Sequence, residues 1–187
     1  MIKVVSFDLG KTLIRPSIQN CGLCRFLADS LNIPYIKMKS LYSDHFLERR
    51  ISLLDFCSSI GLDKTEQIQL FIKKYYSERG YNDVYDDVLF TLSKLKSEGY
   101  SLICISNKPY CNSARLSTYN LESYFDAEIY SCDVGIVKPR LQIFQYAQSL
   151  LGISSSEIVH VGDSLKTDIK GAVTANWHAV YLSLIHI

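Results

Sequence analysis

Ile2-Lys3-Val4-Val5-Ser6-Phe7 runs without a break into Asp8-Leu9-Gly10-Lys11-Thr12-Leu13. A short apolar run bounded by turn residues reads as a buried β-strand. The Gly/Thr turn behind it delivers the Asp8 carboxylate at the strand's end. Far down the chain the arrangement recurs, with Ile158-Val159-His160-Val161 leading into Gly162-Asp163-Ser164. The segments between these two strands decide what kind of sheet they belong to.

After the first strand the pattern turns helical. From Ser17 to about Gly80, Leu23, Phe26, Leu27 and Leu31 recur at three- and four-residue spacing, and Leu41, Phe46, Leu47, Ile51, Leu54 and Phe56 predict one or two more helices. Gly61-Leu62-Asp63 breaks the pattern, with Asp63 or Thr65 as the N-cap of a helix carrying Ile68, Phe71, Ile72 and Tyr75, and Gly80 stops it. From there helix and strand alternate: a helix over 84–97, a strand over 101–105, a turn at Ser106-Asn107-Lys108-Pro109, and a helix to about Leu121. A weak strand over 127–130 follows, then a helix opened by Pro139 at its first position, a strand over 157–161, a helix over 164–175 and a last strand over 179–182. Strands separated by helices of ten or more residues pair in parallel through right-handed crossovers. The expected fold is α/β, a doubly wound, Rossmann-like sheet of five parallel strands carrying an inserted all-helical cap. Residues 1–15 and 82–187 are assigned to the core and 16–81 to the cap.

Composition narrows the setting. The 187 residues carry a formal net charge of +1 with Lys and Arg spread along the chain, so no basic face invites nucleic acid. No apolar run of membrane-spanning length occurs and no secretory signal is visible, so no membrane partner is expected. The 6 cysteines make no disulfide framework in a chain of this length. Cys21 and Cys24 form a lone CxxC, read as two thiols on a helix, and Cys104 reads as a buried thiol. A reducing, cytoplasmic setting fits best. The 13 tyrosines concentrate between Tyr35 and Tyr130 and are expected in the cleft or at an interface, leaving monomer and homodimer both open.

In an open α/β sheet, ligands bind outside the carboxyl ends of the strands. The polar residues there are Asp8, Ser106 with Asn107, Lys138 before Pro139, and Asp163 with Asp168. Three converging carboxylates repel one another unless a cation sits among them, and an all-oxygen set of this kind suits Mg²⁺ shared with phosphate. The plain alternative is that Asp163 caps the next helix, that Ser106 caps another, and that Lys138 is a solvated surface lysine. Backbone N–H groups of the Asp8-Leu9-Gly10 turn, the Ser106 hydroxyl at a helix N-terminus and Lys138 would hold a phosphoryl group. Asp8 would then attack phosphorus and form an acyl phosphate that water cleaves.

These motifs resemble the haloacid dehalogenase (HAD) superfamily, in its phosphatase-rich branch with a helical C1-type cap. The resemblance rests on Phe7 to Leu13, Ile105-Ser106-Asn107, Gly135-Ile136-Val137-Lys138-Pro139, and Val161-Gly162-Asp163-Ser164 through Asp168. It implies that Asp8 is the covalent nucleophile and a Mg²⁺ ligand, with the Gly10 carbonyl, Asp163 and Asp168 completing the metal site. Thr12 would support the first loop and count with the substrate-binding set. Ser106 would bind phosphate, Lys138 would pair with both phosphate and Asp8, and Asn107 would position the cap or the leaving group. The implied activity is Mg²⁺-dependent hydrolysis of a small phosphorylated molecule.

One position departs from the pattern. Phosphatases of this family usually carry a second aspartate two residues after the nucleophile, to protonate the leaving oxygen and activate water; here it is Gly10. Losing such a group costs ~10²–10⁴ in rate. Family members with glycine there are catalogued as active phosphatases, with Lys11, Asp44, His45 or Glu48 as candidate substitutes here. The alternatives are a phosphate-binding regulatory protein, or a dehalogenase or phosphonate-cleaving hydrolase, the last calling for a cap lysine such as Lys37 or Lys39. His160 reads as a core or supporting residue, and His178 and His186 suggest nothing.

Overall fold

The computed structural model describes residues 1–15, 22–62, 66, 68–70, 73, 83–110 and 115–183. The expectations placed on Ser17, Cys21, Asp63, Thr65, Phe71, Ile72, Tyr75, Gly80 and His186, and on the side chains of Leu23 and Phe26, lie outside the described residues.

Five strands form one sheet in the order β5-β4-β1-β6-β7. They are β1 (Val4–Phe7), β4 (Ser101–Ser106), β5 (Ala127–Tyr130), β6 (Ile158–Gly162) and β7 (His178–Tyr181), and every pairing is parallel. The central strand β1 is buried along its whole length. Its side chains alternate between two cores, as the pleat requires. Val5 and Phe7 join Leu92, Leu102, Cys104, Leu116, Leu121 and Tyr130 on one face. On the other, Val4 joins Ile103, Ile105, Ile143, Phe144, Ile158 and Trp177. Helices on both faces explain why β1 and β4 read as continuous apolar runs.

Two short antiparallel strands mark where the chain leaves this body and returns to it. In β2 (Ile14–Arg15) and β3 (Asp83–Val84), Ile14 pairs with Val84 and Arg15 with Asp83. The helices α1 (Gly22–Ser30), α2 (Tyr35–Tyr42) and α3 (Leu53–Ser59), with a wide turn over Ser43–Leu47, lie between them. They have a core of their own, including Leu27, Met38, Phe46, Leu53, Phe56, Leu62 and Ile68. Phe46 stacks on Phe56 at 4.9 Å between ring centroids, and Tyr42 meets both edge-on.

Several local expectations fail. Val84 belongs to β3 rather than a helix, because its backbone pairs with Ile14; the helix starts at Val88 and ends at Ser97. No long helix follows the turn after β4 among the described residues. Short 3-10 turns cover Leu116–Tyr119 and Glu122–Tyr124, separated by Asn120 at φ 55°, which a continuing helix cannot contain. Pro139 does not open its helix, which runs Leu141–Leu151 behind an extended Arg140. The helix expected over 164–175 is a widened turn, Leu165–Ile169, continued as a short α-helix over Lys170–Thr174.

Candidate active site

Asp8 follows β1 directly. Its N–H donates to the Val161 carbonyl at 2.9 Å, so the register between β1 and β6 fixes where the carboxylate stands. The amides of Leu13 and Ile14 both donate to the Leu9 carbonyl, at 3.0 and 3.1 Å, closing the turn. Lys11 takes the left-handed conformation at φ 61°. Gly10 is exposed, and a Cβ placed on it meets nothing within 4 Å. The glycine therefore serves no packing need.

Across the sheet, Asp163 follows β6, and carboxylate oxygens of Asp8, Asp163 and Asp168 lie within 4.8 Å of one another. Asp163 does not cap the next helix. Ser164 does, its hydroxyl accepting from the Thr167 N–H at 3.2 Å, and Asp163 is left facing the cavity. Burial, with the charges of Asp8 and Asp168 adding to it, pushes the Asp163 carboxyl up to about 6. The smaller part of that rise, due to the neighbouring carboxylates, is one a divalent cation would offset. Asp168 is 1% exposed and accepts from the Ser164 N–H at 3.0 Å. Burial alone would raise it; the contacts from His160 and Lys138 prevail and hold it well below the ordinary carboxylate range. Gly162 makes room for it, since a Cβ there would come within 2.5 Å of the Asp168 side chain.

Lys138 is no surface lysine. It is 3% exposed, and its ammonium reaches Asp8 Oδ1 at 2.6 Å, the Ile105 carbonyl at 2.6 Å and Asp168 Oδ1 at 2.7 Å. Three acceptors match the three protons of an ammonium. Burial opposes the charge, but the two carboxylates outweigh it and raise the lysine above its ordinary value. Asn107 holds the lysine's backbone, accepting from the Lys138 N–H at 2.7 Å and donating to its carbonyl at 2.9 Å. Below this, His160 is fully buried, 2.8 Å from Ser6 Oγ through Nδ1 and 3.5 Å from Asp168 Oδ1 through Nε2. Burial is the largest influence on the ring and lowers its proton affinity.

A cavity of about 320 Å³ lies at the carboxyl edge of β1, β4 and β6. Asp8, Gly10, Ser106, Asn107, Lys138, Asp163 and Asp168 all border it, as expected from the sequence. Thr12 does not. The Leu9 turn sends it to the opposite side, into an apolar cavity of about 170 Å³ with Phe7, Leu13 and Tyr85, where Thr12 Oγ1 has no hydrogen-bond partner. Ser106 lines the cavity but heads no helix among the described residues. Asn107 borders the cavity while both ends of its amide engage the Lys138 backbone. Among the described residues, no tyrosine borders the cavity, and neither do Asp44, His45, Glu48, Lys37 or Lys39. Asp44 and Glu48 pair instead with Arg140, at 3.6 and 2.8 Å. Ile14 and Thr167 were not anticipated in the lining. Thr167, three residues after a capping serine, is the one a capping pattern could have revealed.

Comparison with known proteins agrees with this geometry. A family model described as haloacid dehalogenase-like hydrolase matches residues 2–176. The chain is similar to N-acylneuraminate-9-phosphatase of Homo sapiens, 32% identical over 94 residues, which is 50% of this chain and 38% of that protein. It is also similar to glyceraldehyde 3-phosphate phosphatase of Methanothermobacter thermautotrophicus, 34% identical over 94 residues, 50% of this chain and 42% of that one. The matches thus take in less than half of these relatives' length. Among solved structures, a HAD phosphatase from Thermococcus onnurineus superposes with a TM-score of 0.64 at 27% identity, over 100% of this chain and 88% of that one.

Proposed function

Since the chain belongs to the haloacid dehalogenase-like hydrolase family, we propose that it is a Mg²⁺-dependent phosphomonoester hydrolase that works through an aspartyl phosphate on Asp8. One observation carries the reading: a buried Lys138 bridges Asp8 and Asp168 beside a third carboxylate, in one cavity with Ser106. The donor set fits Mg²⁺. It is all oxygen, and Asp8, Asp163 and Asp168, with the Gly10 carbonyl, would hold the ion. Bound there, the ion neutralises charge on the phosphoryl oxygens. The residues do the rest. Lys138 keeps one Asp8 oxygen fixed and adds a positive charge where the phosphoryl group enters. Ser106 offers a hydroxyl to a phosphoryl oxygen, and Asn107 keeps Lys138 from swinging away. Asp8 attacks phosphorus, and water later returns it to the carboxylate. The substrate is a small phosphorylated molecule, and the protein acts as a monomer or homodimer in a reducing cytoplasmic setting. Buried Cys24, Cys57, Cys104 and Cys132 are compatible with that setting.

The test is hydrolysis of 4-nitrophenyl phosphate with and without Mg²⁺, against Asp8→Asn. Metal-dependent turnover absent from the variant is expected; equal rates in the two proteins would sink the reading. Gly10 favours one competing reading, a phosphate-binding regulatory protein. Tight beryllofluoride binding without turnover would support it.

A further inference from the structure

We propose that this site selects phosphates whose leaving oxygen is stable as an anion (acyl, enol and aryl phosphates) over alkyl phosphates. The proposal rests on the phosphatase reading above and narrows it.

Among the described residues, the cavity lining offers no imidazole and no carboxyl besides Asp8 and its partners in the carboxylate cluster. All three protons of Lys138 are engaged, by Asp8, Asp168 and the Ile105 carbonyl. Asp8 is the attacking group. Asp168 is pinned between Lys138 and the Ser164 N–H, and Asp163 faces the carboxylate cluster. The remaining polar lining is Ser106, Asn107 and Thr167, a set of hydroxyls and an amide, together with the exposed Lys11. His160 and the described acids of the cap do not border the cavity. Beside the nucleophile, where an acid would be useful, the chain places Gly10 in open space. That opening admits substrate and supplies no proton.

An alkoxide is too basic to depart bare near neutral pH, whereas a carboxylate, enolate or phenolate departs without a proton. With an acyl phosphate the first step exchanges one carboxylate for another. The Asp8–phosphorus bond forms as the phosphorus–oxygen bond to the acyl group breaks, and the electron pair leaves on that carboxylate. Water then attacks phosphorus, the bond to Asp8 breaks, its electron pair returns to the Asp8 carboxylate, and the protons of water end on inorganic phosphate. Neither departure needs an acid. Lys11, at the cavity edge, adds positive charge toward the departing anion.

The experiment compares acetyl, 4-nitrophenyl and phenyl phosphates with glycerol 1-phosphate, each with Mg²⁺ and against Asp8→Asn. Glycerol phosphate should be slower than the acyl and nitrophenyl substrates in kcat/KM by ~10²–10⁴-fold, the usual worth of a general acid. Gly10→Asp should narrow that gap by ~10²-fold. Asp8-dependent release from all four within tenfold of one another would overturn the selection while leaving the phosphatase reading standing. Release from none would overturn both. Lys11→Gln should slow all substrates by a similar factor; losses confined to glycerol phosphate would make Lys11 the missing acid and overturn the proposal.

Discussion

The carboxyl edge of the sheet and the helical segment that docks beside it are held by different kinds of contact. At the edge, each reactive group is fixed by backbone. Asp8 is held through the Val161 carbonyl, Asp168 through the Ser164 N–H, and Lys138 through Asn107 and the Ile105 carbonyl. The cap meets the core through side chains. Arg50 pairs with Asp133 at 3.0 Å and Arg140 with Glu48 at 2.8 Å, and the Ser131 hydroxyl donates to the Leu47 carbonyl at 2.6 Å. Lys138 and Asp168 are 1% exposed at the side chain, while Arg50 is 61% and Arg140 48% exposed. Buried, backbone-braced groups hold one geometry. Ion pairs with an exposed partner are screened and worth less each than buried, backbone-braced contacts.

The largest effect should come from breaking the buried pair. Lys138→Met leaves Asp8 and Asp168 without their counter-charge, and losing one partner of a buried pair costs ~3–5 kcal/mol. In a chain of this size that is a fall of ~10 °C in Tm, with activity lost. The pH dependence has a definite sign. Lys138 helps hold the folded Asp168 below its ordinary value, a stabilisation fully present above the unfolded carboxylate range and lost as pH falls through the folded value. Thermal melts of the two proteins should therefore lie furthest apart near neutral pH and converge under acid. A constant gap would mean the lysine's stem, rather than its charge, carries the effect.

The same contrast explains what could be read from residue order. Asp8, Lys138, Asp163 and Asp168 were legible because strand ends and motif spacing are local signals. The alternating apolar runs likewise predicted a doubly wound sheet. Thr12 was misplaced because the turn closed on the Leu9 carbonyl, and nothing in the residue types says which side of that turn a threonine takes. Asn107 and His160 act through Lys138 and Asp168, so their roles depend on tertiary register rather than spacing. Asp44 and Glu48 of the cap pair with Arg140, a contact that residue order alone does not reveal.

A smaller effect is expected at Gly162. A methyl group there would overlap Asp168, and Gly162→Ala must push that side chain off the Ser164 N–H. Overpacking of this kind costs ~1–3 kcal/mol. Mg²⁺ affinity, read by calorimetry, should fall along with stability. Unchanged affinity would show that Asp168 can shift without disturbing the carboxylate cluster, and that the edge is softer than its burial implies.

The smallest effect should lie on the cap side, at Arg50→Ala. Asp133 keeps Arg115, 2.8 Å away, so its charge stays paired. What is lost is one exposed bridge and the approach of Arg50 to the Tyr110 ring, 5.9 Å from its centroid. The global cost should be at most ~1 kcal/mol, a change in Tm of ~2–4 °C or less. Local opening is a separate quantity, set by the few contacts that hold one segment down. Arg50→Ala should therefore speed hydrogen exchange or proteolytic nicking around Ser43–Leu47 more than it lowers Tm, and salt should produce the same trend in the unmodified protein. If the substitution instead costs as much as Lys138→Met, the cap is part of the rigid body, and substrate entry has to be sought somewhere other than the contact between the helical segment and the core.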